Sequence, residues 1–317
     1  MADADDVVNG LASAGGGFIA HLVTYPLQTV NARQQIERNR NERGKIGALE
    51  QMYHIVEQEG WEQLYGGFAP SLVGIATSEC VHKYIYQKFR NKAEATALAG
   101  FVSVLLTNPI SLVVTRMQTH TKKSQPNPTD LLSPEDVIPS AVEPPPFRLS
   151  HAIQEVYDER RVLGFWRGAL PTLIMASKPS IRFMLYEPLL KELKKQKQLS
   201  GNKRNRNVTS LEIFLLETLA NLGATVVTYP LLVIKSRLQA KQQFEHERHQ
   251  HEGTVDAIDK MIRYEGWYGF YKGLSTKIAQ SVLAAVVPFM LKEKLVEGAN
   301  WVLFQTGILF FKLLYAI

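Results

Sequence analysis

One pattern occurs three times in this chain and constrains its fold more than any composition figure. Thr24-Tyr25-Pro26-Leu27 is followed by Arg33 and Gln35, Thr107-Asn108-Pro109-Ile110 by Arg116 and Gln118, and Thr228-Tyr229-Pro230-Leu231 by Arg237 and Gln239. In every copy the Arg stands seven residues after the Pro and the Gln nine after it. An apolar stretch runs into each proline and a polar, basic stretch leaves it. Proline removes a helix hydrogen bond and kinks the axis, so the pattern predicts three related kinked helices. A repeat of this kind overrides the two soluble domains that 317 residues would otherwise suggest.

The rest of each unit follows the same order. Residues 7–24 read as a first helix, with Gly10, Ala14 and Gly17 spaced for close packing. The run 33–45 is charged and loop-like, and Leu49, Met52, Ile55 and Val56 then mark a short amphipathic helix. Tyr65-Gly66-Gly67 precedes a second apolar stretch, 68–86. The third unit has apolar 211–228, a short helix with Val255, Ile258, Met261 and Ile262, then Tyr271-Lys272-Gly273 and apolar 274–291. The middle unit has Ile153, Val156 and Tyr157, then Trp166-Arg167-Gly168 and apolar 169–186. Each unit is thus long helix, short surface helix, long helix, with repeats at 1–90, 91–200 and 201–299. An apolar tail, 300–317, lies beyond them; it is short for a membrane span, and reads either as an interfacial segment or, in preference, as an alternative tail with no native partner.

The spacings are unequal. From each Pro to the aromatic-x-Gly glycine they are 41, 59 and 43 residues, which places an insertion in the proline-rich stretch 121–147, read as a disordered loop. From the glycine to the next Pro they are 42 and 62, so the segment before Pro109 is shortened and the third helix with it. Net charge is +6, which favours anionic partners. The mean hydropathy of −0.11 would suit a soluble protein, or helices with one face to lipid and one to a polar cavity. The single cysteine, Cys80, excludes a disulfide framework and a Cys-based zinc site. The acidic N-terminus resembles neither a signal peptide nor a transit peptide.

The three copies resemble the signature of the mitochondrial carrier family, Pro-x-Asp/Glu-x-x-Lys/Arg-x-Lys/Arg followed by an aromatic-basic-Gly element, over residues 7–298. The resemblance implies an all-α membrane protein: a monomeric six-helix carrier bundle around a central cavity, working as an antiporter by alternating access. Stretches 24–35, 64–72, 106–120 and 228–239 are similar to members that carry nucleotides across the peroxisomal membrane. That implies import of NAD in exchange for AMP or ADP, these being cargo and not cofactors. ATP/AMP exchange is the alternative activity, and the mitochondrial inner membrane the alternative location.

The departures from the signature matter as much. Its acidic position is Gln28, Ser111 and Leu232, and its first basic position Asn31, Val114 and Lys235. In the family these residues form a ring of ion pairs that closes one gate; with only Lys235 charged, that ring cannot form. Arg33, Arg116 and Arg237 recur in every unit, which suits structural bracing. At the opposite gate Tyr86-Gln87-x-x-Arg90 keeps a polar pair, Glu187 faces Leu190 where a base is expected, and Lys292-Glu293 fits less well. Two weak gates imply a low switching barrier or a leak.

Structural residues recur in a threefold scaffold, whereas substrate residues break its symmetry. Seven residues after each aromatic-x-Gly glycine stand Gly74, Met175 and Gln280, followed by Ile75, Ala176 and Ser281. These match the substrate contact points that the resemblance implies. A small residue beside an apolar one accepts a flat ring, and Gln280 offers both a donor and an acceptor. Lys178 and Arg182, one helical turn apart, suit a diphosphate. His21, five residues before Pro26, matches a place where family members have a substrate-binding Lys. The plainer readings are helix packing for Met175, Ala176 and His21, and pairing of Lys178 or Arg182 with Glu187. Glu79 and Lys83 suit an intrahelical pair.

His246, His249 and His251 fall in a charged loop without metal-site geometry, and the basic run 191–206 suits lipid headgroups better than nucleic acid. No nucleophile-base grouping, phosphate loop or metal-ligand set is visible, so no enzyme is expected. Two competing readings remain: a shortened variant that inserts without transporting, and a soluble helical scaffold.

Overall fold

The computed structural model describes residues 2–37, 47–89, 95–120, 148–199, 208–240 and 253–315. The segment 121–147, Arg90, Asn207, His246, His249 and His251 lie outside these, as do the side chains of Tyr86, Lys292, Glu293 and residues 299–315. Helices account for nearly all of what is described, and no strand occurs among the described residues. The first unit holds α1 (Ala2–Ile36), α2 (Ala48–Glu59), the single turn α3 (Trp61–Leu64) and α4 (Phe68–Phe89). The second holds α5 (Ala95–Thr119), α6 (Leu149–Arg160), a 3-10 turn (Arg161–Trp166), α7 (Ala169–Met175) and α8 (Lys178–Leu199). The third holds α9 (Ser210–Gln239), α10 (Thr254–Glu265), a 3-10 turn (Trp267–Tyr271) and α11 (Leu274–Tyr315). Among the described residues, three helical spans are long and apolar enough to cross a membrane: Ala99–Thr119, Ser210–Gln239 and Trp267–Leu291.

The three signature prolines lie inside α1, α5 and α9, and helix continues beyond each of them. This corrects the loop-like reading of residues that follow Arg33: the helix runs on to Ile36, with Arg33 and Gln35 buried. The small-residue stripe is also displaced from its expected register. A Cβ at Gly17 would meet nothing within 4 Å, so that glycine permits no close approach. The buried positions are instead Gly16, Ala20 and Thr24 in α1, Ala99 and Ser103 in α5, and Ala220, Ala224 and Thr228 in α9. They stand ten, six and two residues before the prolines. The Thr hydroxyls fold back to their own helix, Thr24 to the Ala20 carbonyl at 2.7 Å and Thr107 to the Ser103 carbonyl at 2.8 Å.

The fourth long helix is broken. It divides into α7 and α8 at Ala176-Ser177, where the Ser177 N–H turns back to the Ile174 carbonyl. Pro179 supplies the cause, because it has no N–H to bond the Met175 carbonyl four residues earlier and its ring clashes with that carbonyl. The short helices bury a narrower stripe than expected. Ile55 packs with Val30 and Leu64, flanked by Met52 and Val56, while Leu49 is 77% exposed. Val255, Ile153 and Tyr157 likewise face outward, and Ala257, Met261, Ala152 and Val156 are the buried positions.

The shortening before Pro109 shows in α5. Among the described residues, helix 95–108 precedes the proline there, against 2–25 in α1 and 210–229 in α9. Helix runs on from the third copy into the apolar tail: α11 has 42 residues, about 63 Å along its path, with Pro288 inside it.

By internal contacts the chain divides into two compact units. One comprises Met1–Gln28, Ser180–Val226 and Leu274–Ile317; the other comprises Thr29–Pro179 and Val227–Gly273. In the second, α4 and α5 pack antiparallel. Gly74 lies against Ile110, where an added Cβ would meet the Ile110 side chain at 3.1 Å, and Ser78 bonds Ser103 at 3.0 Å.

Candidate functional site

The residues after the three prolines build one layer within the second unit, closed in a cycle. Arg33 Nε donates to the Gln118 carbonyl at 3.1 Å, Arg116 Nε to the Gln239 carbonyl at 2.8 Å, and Arg237 Nε to the Gln35 carbonyl at 2.9 Å. Each arginine thus reaches the glutamine backbone of the next copy. Its two terminal nitrogens remain free for a carboxylate on the short helix of its own copy. Arg33 holds Glu59 at 2.7 and 2.9 Å, Arg116 holds Glu159 at 2.7 and 2.6 Å, and Arg237 holds Glu265. These forks are bidentate and almost wholly buried on the arginine side, so removing one partner costs about 3–5 kcal/mol. Glu265 also meets Lys272 at 3.0 Å. Burial pushes its carboxyl upward, but the bonds from Arg237 and Lys272 outweigh this and hold it below the usual carboxylate range.

Inside the arginines lies a neutral layer where the family signature would put ion pairs. Asn31 donates to the Gly273 carbonyl at 2.6 Å and to the Tyr229 hydroxyl at 3.2 Å. The Tyr229 hydroxyl in turn donates to the Lys272 carbonyl at 2.7 Å. Asn108 bonds the Phe165 and Arg167 carbonyls at 2.9 and 3.3 Å, and Thr29 the Leu64 carbonyl at 2.8 Å. The aromatic-x-Gly elements are therefore fastened to the proline helices through their backbone. Gly273 has φ +81°, and a Cβ there would come within 2.8 Å of Asn31 Nδ2 and 3.0 Å of the Tyr229 hydroxyl. Lys235, half-buried, has no ion-pair partner among the described residues.

The second copy departs from the other two. Gly60 and Gly266 cap α2 and α10 with φ of 92° and 68°, directly after Glu59 and Glu265. In α6 the capping residue is Arg161, with φ 56° and ψ −150°, and Arg160 occupies the place of the glutamate. Glu159, one residue earlier, takes over the ion pair, with Glu155 at 3.5 Å in support.

The expected substrate positions fall in both compact units. In the second, Gly74 serves the packing of α4 on α5, Ile75 is exposed beside it, and Met175 and Ala176 flank the break before α8. Lys178 opens α8 half-buried. In the first unit, Arg182 meets Glu217 of α9 at 3.3 Å, and Glu187 pairs with Lys191 at 2.7 Å, so the plainer alternative of an Arg182–Glu187 pair is not what forms. Gln280 is buried, and its Oε1 accepts from Lys277 at 2.9 Å; Ser281 follows, half-buried. His21 lies edge-on to Tyr25, ring centres 5.2 Å apart. No ion pair between Glu79 and Lys83 occurs among the described residues. The arginine–glutamate forks were not read from the sequence. Their signal was the Glu that closes α2 and α10 before a glycine.

Comparison with known proteins agrees with this geometry. The family model described as mitochondrial carrier protein matches residues 5–94, 88–197 and 206–300. The chain is 56% identical to the peroxisomal nicotinamide adenine dinucleotide carrier of Arabidopsis thaliana, over 94% of this chain and 98% of the relative. It is 27% identical to peroxisomal membrane protein PMP34 of Mus musculus, over 92% of each chain. It is 25% identical to the mitochondrial nicotinamide adenine dinucleotide transporter 2 of Arabidopsis thaliana, over 91% of this chain and 78% of the relative. The protein is a transporter and not an enzyme, a multi-pass protein of the peroxisomal membrane. Three matched repeats over nearly all of its length show that the chain belongs to the mitochondrial carrier family.

Proposed function

We propose that this carrier imports NAD in exchange for AMP or ADP by alternating access. The observation that carries the reading is the 56% identity to a peroxisomal NAD carrier over nearly the full length of both chains. The residues supply a matching chemistry. Lys178 and Arg182 lie one turn apart on α8 and suit a diphosphate, the guanidinium by its bidentate geometry. Arg182 is held meanwhile by Glu217, which an incoming phosphate displaces. Gln280, with its carbonyl oxygen engaged by Lys277, presents its amide N–H groups to acceptors of a base or a carboxamide. Lys235 is the one charge left at the basic positions of the ring, and an anionic substrate serves as its counter-ion. The neutral layer around Gln35, Asn31 and Tyr229 acts as one gate.

Reconstitution of the purified chain into liposomes loaded with AMP tests this directly. Uptake of labelled NAD that requires internal AMP or ADP is the expected result. Faster exchange of ATP than of NAD would overturn it in favour of an adenine nucleotide exchanger.

A second reading has its own observation. The alignment with the plant NAD carrier runs over 326 positions yet includes only 94% of this chain, so the relative has residues that this one lacks. The unequal repeat spacing supports assigning the loss to the stretch before Pro109, ahead of the signature of α5. A chain that sediments with membranes and shows no uptake above empty liposomes would be a transport-deficient variant.

A further inference from the structure

The three glutamines of the layer are not equally held. At the seam between the third and first copies, the Ser236 hydroxyl donates to Gln35 Oε1. Gln35 Nε2 donates to Asn31 Oδ1 at 2.6 Å and reaches the Tyr229 hydroxyl at 3.4 Å. At the seam between the second and third copies, Thr115 Oγ1 donates to Gln239 Oε1 at 3.1 Å. Gln239 Nε2 is shared between Asn108 Oδ1 and the Arg167 carbonyl, at 3.4 Å each. At the seam between the first and second copies, the Gln118 carbonyl accepts from Arg33, but Gln118 Nε2 is buried without a hydrogen-bond partner.

The sequence supplies the reason. The place of Ser236 and Thr115, directly before the arginine, is Ala32 in the first copy. The place of Asn31, four residues before the glutamine, is Val114 in the second. Ala32 therefore brings no hydroxyl to the Gln118 side-chain carbonyl oxygen, and Val114 brings no side-chain acceptor to its amide N–H. The bonds that remain at this seam, from Arg33 and Gln63 to the His120 carbonyl at 2.9 and 2.7 Å, leave the Gln118 side chain out. A buried amide that loses its partner retains its desolvation cost, so this seam is weaker than the other two.

We propose that the layer parts first between the first and second copies, with Ala32 and Val114 as the positions that set how readily it opens. The inference rests on the layer being the gate named above, but its main readout requires no substrate. Thermal unfolding of the purified full-length chain is compared among variants. Ala32→Ser places a hydroxyl where Ser236 and Thr115 have theirs, and Val114→Asn places an acceptor where Asn31 has its own. Each is expected to raise Tm by about 2 °C and to slow NAD exchange several-fold. Thr115→Ala and Ser236→Ala are expected to lower Tm.

Gln118→Leu guards against a repair that merely fails to fit. Replacing an amide that has no partner by an apolar group is near neutral, whereas Gln35→Leu and Gln239→Leu lose real bonds. Gln118→Leu is therefore expected to cost clearly less Tm than either. The proposal is overturned if Gln118→Leu costs as much as its two counterparts, or if neither repair raises Tm. Failure of nucleotide exchange in every variant would count against the transport reading and leave the order of Tm values standing.

Discussion

Arg116 closes its ion pair on Glu159, one residue earlier in its helix than the places that Glu59 and Glu265 occupy in theirs. Arg160 fills the vacated place, and Arg161 caps the helix where the other copies have glycine. The fork survives because a neighbouring carboxylate still lies within reach of a buried guanidinium, and Glu155 adds a second acceptor.

Arg161 adopts a backbone region that is essentially reserved for glycine, at a cost of about 1–3 kcal/mol. Its guanidinium recovers part of this over the Tyr157 ring, 5.6 Å from the centroid. Arg161→Gly is expected to raise the unfolding temperature of the purified carrier by a few degrees. Differential scanning fluorimetry against the parent chain checks it, and a drop in Tm would mean that the ring contact dominates.

Glu265 makes stability depend on pH in one direction. Its folded-state pKa is below the ordinary 4.5, so its contribution is present above that value and is lost as pH falls through the folded one. Tm should therefore decline on acidification below about pH 4.5. Glu265→Gln should flatten this part of the profile while lowering Tm at neutral pH, because Arg237 then stays buried without its carboxylate. An unchanged acid slope in the variant would assign the dependence to other groups.

Arg182 tests a separation of transport from folding. Its pair with Glu217 is about half exposed on both sides, and such pairs contribute at most about 1 kcal/mol. Arg182→Ala should leave Tm nearly unchanged while raising the KM for NAD about tenfold, as loss of one charge-assisted contact does. Uptake kinetics and unfolding measured on one preparation would reveal a structural role if the two fell together.

Gly273→Ala addresses the neutral layer directly. The added methyl would meet Asn31 Nδ2 at 2.8 Å and the Tyr229 hydroxyl at 3.0 Å, at a residue with φ +81°. Strain and clash together should cost about 2–4 kcal/mol. Lower yield of folded carrier and a broad fall in Tm are expected. Gly17→Ala, with open space around it, should be silent in the same assay.

Much of this organisation was legible because it repeats. The prolines, the arginines and glutamines after them, and the aromatic-x-Gly glycines recur in fixed register, and three copies expose a pattern that one would hide. The break at Ala176-Ser177 was not read from the sequence, although Pro179 follows it, because the apolar run around it reads as one helix. The buried small residues of α1 are Gly16, Ala20 and Thr24, whereas Ala14 and Gly17 are exposed, because the expected stripe followed a common spacing that ignores the prolines. Counting back from Pro26, Pro109 and Pro230 selects the buried positions in all three copies. What no local pattern reveals is which copy meets which: the bond from Arg33 to the Gln118 carbonyl joins residues 85 apart. The loss of a partner at Gln118 follows from that pairing and from the identities of Ala32 and Val114 together.

The neutral layer has a further consequence for where this carrier can work. Ion pairs that face a water-filled cavity weaken as salt rises, because mobile ions screen them within about 10 Å at 0.1 M. Amide and hydroxyl bonds such as Asn31 to the Gly273 carbonyl and Thr115 to Gln239 carry no net charge to screen. A closure made from them keeps its strength across compartments of different ionic content, and its opening is governed by packing and hydrogen-bond geometry.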